Sequence, residues 1–282
     1  MANAKAKANA VDERFVTVTT HGGLGNRLFE MAAAFGLAAK RDRTCALPLP
    51  QNNGHNAHSR VRYEDTVFRR FRRLPTDAWR TVAVHDEVDD EFHKYVPCTL
   101  EDTSDAAAVI LLRGYFQNER YLEGCKAEFV NLLDLPVVLP LDRTLFLHVR
   151  RGDYLLPNSP HAVDLRAYHA RAIAHARERL GPEPYTLLVV SDDPAWCRAH
   201  LPVGPTVRVL DEPDELVTLS TMAACELGGI CANSSFSWWG AFLGYRPGKV
   251  VTFPSVWLTR APSGIGPLDG TLSFEGATVL EV

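Results

Sequence analysis

Five short apolar runs in the second half of this 282-residue chain alternate with helical stretches, and that alternation constrains the fold more than any other feature. The runs fall at residues 144–150, 185–191, 206–210, 228–232 and 249–253, with helices fitting at about 164–180, 194–200, 213–226 and 236–243. Apolar runs of this length suit strands buried on both faces of a parallel sheet. Strands separated by helices imply βαβ units. The first half opens in the same way. Phe15 to Thr20 alternates apolar and threonine residues and breaks at Gly22-Gly23-Leu24-Gly25. From Asn26 to about Lys40, Leu28, Met31, Ala32, Phe35 and Ala39 recur at helical spacing. Another buried strand is expected at Val109–Leu112, a helix at Glu119–Leu133 and a linker at Pro136–Pro140. The expected fold is α/β, with two Rossmann-like lobes meeting near residue 140. A flexible N-terminus would cover residues 1–14, one lobe 15–140 and the other 141–282.

Composition narrows the class. A hydrophobic content of 46% against 23% charged residues indicates a folded chain with ample core. The formal charge of −4 gives no reason to expect nucleic acid as a partner. Six scattered cysteines without a C-x-x-C pair suit reduced interior thiols better than a disulfide framework or a zinc site. The segment Met1–Arg14 lacks the apolar centre of a signal peptide, and nothing approaches the ~20 apolar residues of a membrane span. A cytoplasmic or otherwise soluble chain is expected, with a form that has lost a membrane anchor, as in the Golgi, left open. The Arg-dense stretch from Arg60 to Arg80 and the acidic run from Asp86 to Glu91 read as solvated faces rather than an acceptor or membrane surface.

Chemistry concentrates where strands run out. His148-Val-Arg-Arg-Gly-Asp-Tyr154 follows the apolar run Thr144–Leu147, at a carboxyl strand end, where open α/β sheets bind ligands. The planar forks of Arg150 and Arg151 suit a phosphate or pyrophosphate. An adhesion tripeptide would need an exposed loop tip, whereas Arg151-Gly152-Asp153 follows a buried strand; a plain Arg151–Asp153 ion pair is the blander alternative. Ser191-Asp192-Asp193-Pro194 follows the next strand, with Asp193 placed to cap a helix that Pro194 begins. Asp192 is then available to a ribose hydroxyl or a guanine edge, and the spacing differs from an Asp-x-Asp metal signature. Asn233-Ser-Ser-Phe-Ser-Trp-Trp-Gly240 crowds hydroxyls onto a helix start, a second anion site. Its glycosylation sequon is incidental against a buried strand, and Trp238 and Trp239 read as core. Gly22–Gly25 lacks the third glycine of a dinucleotide fingerprint, yet lets backbone approach a ligand beside Asn26. Together these describe a crevice for a nucleoside diphosphate.

At this level of detail the chain resembles the α-1,2-fucosyltransferases of glycosyltransferase family 11. The resemblance rests on Gly22-Gly-Leu-Gly-Asn-Arg-Leu-Phe29, Gly114-Tyr-Phe-Gln117, the 148–154 segment and the 233–240 segment, in the family's order. It implies a GT-B-like architecture with an inter-lobe cleft. It also implies GDP-β-L-fucose as donor, a galactose-containing glycan as acceptor, inversion to an α-1,2 linkage, and no metal or other cofactor. Carried over, Arg150 binds the donor diphosphate, with His148 and Arg151 in support. Ser234 and Ser235 approach the β-phosphate among the donor residues Asn233, Phe236 and Ser237. Asp192 or Asp193 holds the nucleoside, and Gly25 and Asn26 reach the donor from the other lobe. At Arg27 and Glu30 the sequence departs from the family, where glutamines are common. Asp153, His161 and Glu30 are candidates for the base that deprotonates the acceptor, Asp153 being better suited to orienting Arg150 or Arg151. Two rivals stand beside this reading: a fucosyltransferase of another linkage or acceptor, and a non-catalytic GDP-sugar or glycan-binding protein.

Overall fold

The computed structural model describes residues 13–48, 62–87, 93–98, 106–156, 158–260 and 271–282. The expected flexible N-terminus up to residue 12, and residues 60–61 and 88–91 of the two charged stretches, lie outside the described residues. The chain divides into two compact units, Met1–Asp134 and Leu135–Val282. The division falls on the N-terminal side of Pro136–Pro140.

In the N-terminal unit β1 (Phe15–Val18) is wholly buried, which its apolar and threonine residues allow. With β2 (Thr44–Leu47), β3 (Arg72–Arg73), β4 (Val82–Asp86) and β5 (Val109–Arg113) it forms a parallel sheet of order β3-β2-β1-β5-β4. Helix α1 (Leu24–Lys40) covers the sheet, with Gly23 as its N-cap. It starts earlier than the spacing implies, so Gly25 and Asn26 sit in its first turn. A Cβ on Gly36 would lie 1.7 Å from the Tyr121 carbonyl oxygen; only glycine lets α1 approach that backbone so closely. The helix expected over 119–133 is instead a 3-10 turn, Glu119–Leu122, followed by the short α2 (Lys126–Leu132). Gly124, at φ +82°, breaks it. The arginine stretch is neutralised by carboxylates of its own unit: Arg69 and Arg70 pair with Asp134, Arg72 with Glu13, and Arg62 and Arg73 with Asp65.

The C-terminal unit contains β6 (Thr144–Val149), β7 (Thr186–Ser191), β8 (Val207–Val209), β9 (Gly228–Ile230), β10 (Val250–Pro254) and β11 (Thr278–Leu280). Their order is β11-β10-β9-β6-β7-β8, every pair parallel. Helices α3 (Arg166–Leu180), α4 (Pro194–His200), α5 (Glu215–Ala224) and α6 (Ser235–Gly244) lie between them in sequence. From β6 the strands step outward through β7 and β8, then restart on the other side at β9. That is the doubly wound Rossmann order, with its switch point between β6 and β9. Leu145, Leu147, Val189 and Ile230 pack with Tyr168, Ala172 and Ala176 of α3. Trp238 and Trp239 are core residues, buried beside Phe242. All six cysteines are free, four of them buried. Both units are therefore α/β layers on parallel sheets, the Rossmann-like halves that a GT-B-like chain combines.

Candidate functional site

Strand β6 ends at Val149 between the ends of β7 and β9, so three of the motifs meet at one sheet edge. The Arg150 guanidinium bonds Asp153 Oδ1 at 2.6 Å through Nη2 and lies 3.2 Å from Asp192 Oδ2 through Nη1. It also sits 5.4 Å from the Tyr154 ring centroid. Burial works against its charge, but Asp192 and Asp153 outweigh that and raise its pKa above the ordinary value. Arg151 points elsewhere. Its Nε donates to Asp193 Oδ2 at 3.2 Å and its guanidinium lies 3.7 Å over the Trp196 ring. Its backbone N–H donates to Asp192 Oδ1 at 2.8 Å. Asp193 caps α4 by accepting from Trp196 N at 3.0 Å, as the Asp-Pro spacing implies. Asp192 thus joins both arginines to β7. A Cβ on Gly152 would meet its Oδ2 at 2.4 Å.

The start of α6 lies at the end of β9. Ser234 is the N-cap and makes no side-chain capping bond; Ser235 opens the first turn. Their neighbours, which the sequence places in the donor set, have partners within the fold. Asn233 is 1% exposed, and its amide donates to His161 O at 3.1 Å and Trp257 O at 2.9 Å. Ser237 is wholly buried and donates to the Ala232 and Ser234 carbonyls. The half-buried Phe236 faces the His148 ring at 6.0 Å. His148 is buried; desolvation first, and the Arg150 charge second, push its pKa down to about 3. It is therefore neutral at pH 7 and adds no second cation for a phosphate. Tyr154 donates to Asn233 O at 2.9 Å and stacks on His161 at 4.7 Å. Burial also lowers the His161 pKa. Asp153 is the orienting partner of Arg150.

In the N-terminal unit, the Asn26 Oδ1 accepts from Gln117 Nε2 at 2.9 Å, joining the glycine motif to the Gly114–Gln117 motif. Gly25 is buried inside α1. Both departures from the family pattern carry charge into this unit. Arg27 pairs with Glu64 at 3.2 Å, lies 5.0 Å from the Tyr63 ring centroid, and donates from Nε to Gly22 O. The Glu30 side chain has 0% exposure, which removes it as a base touching substrate. Its oxygens accept from His21 N at 3.0 Å, and Oε1 lies 3.3 Å from His21 Nδ1. Burial raises the Glu30 pKa to about 7. His21 carries no sequence signal, because its partner is on the far side of the glycine turn. Trp196 was equally silent as the platform for Arg151. Among the described residues there is no group of three His, Cys, Asp or Glu arranged to hold a metal, and no helix is long and apolar enough to cross a membrane.

Residues 137–256, which span the arginine, aspartate and serine motifs, match the family described as Glycosyl transferase family 11. The similarity to that family covers less than half of the chain. The motif resemblance and the family match therefore agree on the C-terminal unit. Beyond that unit, the chain is 24% identical over 273 residues to an alpha-1,2-colitosyltransferase of Escherichia coli, covering 85% of this chain and 91% of that protein. It is 24% identical over 263 residues to a galactoside 2-alpha-L-fucosyltransferase of Caenorhabditis elegans, covering 83% and 70%. Among solved structures, the fucosyltransferase NodZ from Bradyrhizobium aligns with a TM-score of 0.47 and 15% identity, over 82% of this chain and 93% of that one. The arginine, aspartate and serine motifs lie on the doubly wound unit, and the charges of Arg27 and Glu30 on the other.

Proposed function

We propose that this chain is an inverting glycosyltransferase that moves L-fucose from GDP-β-L-fucose to O2 of a galactoside, forming an α-1,2 linkage. The observation that carries the reading is Arg150, a half-buried guanidinium at the switch point of the doubly wound sheet, held by Asp153 and Asp192. As the anomeric bond breaks, negative charge grows on the departing β-phosphate. Arg150 meets it with remaining N–H groups of its fork, and its two carboxylates fix its direction beforehand. Ser234 and Ser235, with the first backbone N–H groups of α6, supply neutral donors to the same oxygens. His148, neutral and buried beneath Arg150, sets the floor of the site rather than its charge. Arg150 supplies the positive charge that a metal would otherwise bring, so the transfer is proposed to need none.

The colitosyltransferase relative supports a second donor reading, a colitosyl group in place of fucose. Purified chain incubated with GDP-fucose or a GDP-colitose donor, β-galactosides and EDTA distinguishes the cases. Fucose on galactose O2 despite EDTA is the expected product. Transfer of colitose alone would move the donor assignment, transfer to another position the linkage, and GDP binding without any transfer would leave a binding protein.

A further inference from the structure

We propose that Tyr154 is a positioning residue for glycosyl transfer: its hydroxyl holds the start of α6, with Ser234 and Ser235, in a fixed setting relative to the Arg150 guanidinium. The inference deepens the glycosyl-transfer reading above and rests on it. All the groups involved belong to the C-terminal unit. Strands β6 and β9 pair only as far as Leu147 and Ile230. Arg150 and Ser234 both lie beyond that last pair, so the ladder does not fix one against the other. If both meet oxygens of one diphosphate, an error of about 1 Å between them is costly in rate.

Tyr154 spans that gap. It sits in the 3-10 turn Gly152–Leu155 directly after the two arginines, and its N–H donates to Arg151 O at 2.8 Å. The turn brings its ring centroid to 5.4 Å from the Arg150 guanidinium and stacks the ring on His161 at 4.7 Å. A phenylalanine would serve both contacts. The hydroxyl has a different partner, the Asn233 carbonyl, to which it donates at 2.9 Å. That carbonyl and the Ser234 N–H belong to one planar peptide, so holding the carbonyl orients the backbone from which Ser234 departs. The Ser234 side chain meets the same hydroxyl, and Ser234 makes no side-chain capping bond of its own. Burial, the largest influence, raises the Tyr154 pKa to about 12, so the hydroxyl keeps its proton and stays a donor at neutral pH. The far side of the linkage is anchored as well. The Asn233 amide donates to His161 O and Trp257 O, which ties the carbonyl that Tyr154 grips to the residue its ring stacks on.

The test compares the full chain with Tyr154→Phe, Ser234→Ala and the double variant by steady-state kinetics, with thermal unfolding and calorimetric GDP binding on each. Tyr154→Phe keeps the ring against Arg150 and His161, so its melting temperature should stay close to that of the parent. Its kcat should fall about 3–10-fold, the worth of one hydrogen bond. The donor KM should change less, because the charge that Arg150 and the serines meet is greatest in the transition state. Ser234→Ala should cost less in the Tyr154→Phe background than in the parent, since the hydroxyl it removes is already misdirected. An unchanged kcat in Tyr154→Phe, or losses that simply multiply in the double variant, would overturn the positioning role while leaving glycosyl transfer intact. A Tyr154→Phe chain that unfolds would make the hydroxyl a structural group and overturn that role too. A parent chain that binds GDP but transfers to no acceptor would overturn both.

Discussion

Arg150 and Arg151 are adjacent in sequence, yet their guanidinium groups are held by different partners. Arg150 keeps part of its fork exposed between two carboxylates, while Arg151 is clamped by Asp193 and stacked on Trp196. The reaction should therefore depend on them unequally. Arg150→Ala is expected to lower kcat by about 10²–10³, the usual cost of losing one preorganised donor to developing charge. Arg150→Lys should restore little, because an ammonium cannot bond Asp153, Asp192 and a phosphate in one plane. Arg151→Ala should instead lower the melting temperature, with a smaller change in kcat. Steady-state kinetics and thermal unfolding on the three variants check this, and equal kinetic losses at both positions would refute the division of labour. The same pair shows where sequence stops. The phosphate-type chemistry at the strand end was legible from the residues alone, as was the Asp193 cap, because both are local. The coupling of Arg150 to Asp192 crosses to another strand and that of His21 to Glu30 crosses a turn and a helix, so no spacing announces them.

Burial made most elements legible, although β8, read at 206–210, is as exposed as β11. β5, β6 and β10 are buried along nearly their whole length and β7 along half of it, and all four stand out as apolar runs. β3 and β4 have exposed faces and β11 is half-buried, so they leave no such run and went unread. β2, short and part-buried, was missed with them. Glycines mark two further constraints of this scale. Gly36 lies where α1 meets the backbone of the 3-10 turn, and backbone cannot yield as a side-chain end can. Gly36→Ala should destabilise the N-terminal unit by ~1–3 kcal/mol or more, visible as a lower urea midpoint. Gly152 meets only the carboxylate end of Asp192, which can rotate aside. Gly152→Ala should thus cost little stability but release Arg150 and the Arg151 backbone from their common partner. Raised KM for the donor with a near-native melting temperature is the expected signature. A full loss of fold would show that the turn itself, rather than Asp192, is what the glycine protects.

His148 and His169 of the C-terminal unit and Glu30 of the N-terminal unit link stability to pH with opposite signs. In the C-terminal unit, desolvation holds His148 down to about 3 and His169 down to about 4. The unfolded chain protonates such histidines from about pH 6.5 downward, but the folded unit does not until far lower. Between those limits the unfolded state binds more protons, so stability falls as pH falls, approaching ~1.4 kcal/mol per pH unit for each histidine. In the N-terminal unit, Glu30 is raised to about 7. There the folded state binds the extra proton between the unfolded carboxyl pKa and about 7, so acidification through that window stabilises. The His21 pKa is raised by the Glu30 contact, so that contribution fades as Glu30 takes up its proton. Moving from pH 6.5 to 4.5 should therefore weaken the C-terminal unit while leaving the N-terminal unit as stable or more so. Hydrogen exchange followed by mass spectrometry, corrected for the intrinsic pH dependence of exchange, resolves the units separately. Protection across β6, β7 and α3 should drop at pH 4.5 while that across β1 and α1 holds. His169→Phe should make the drop shallower, since it removes one of the protons taken up on unfolding. Equal loss of protection in both units, unaltered by that variant, would show that the buried histidines do not set the acid limit.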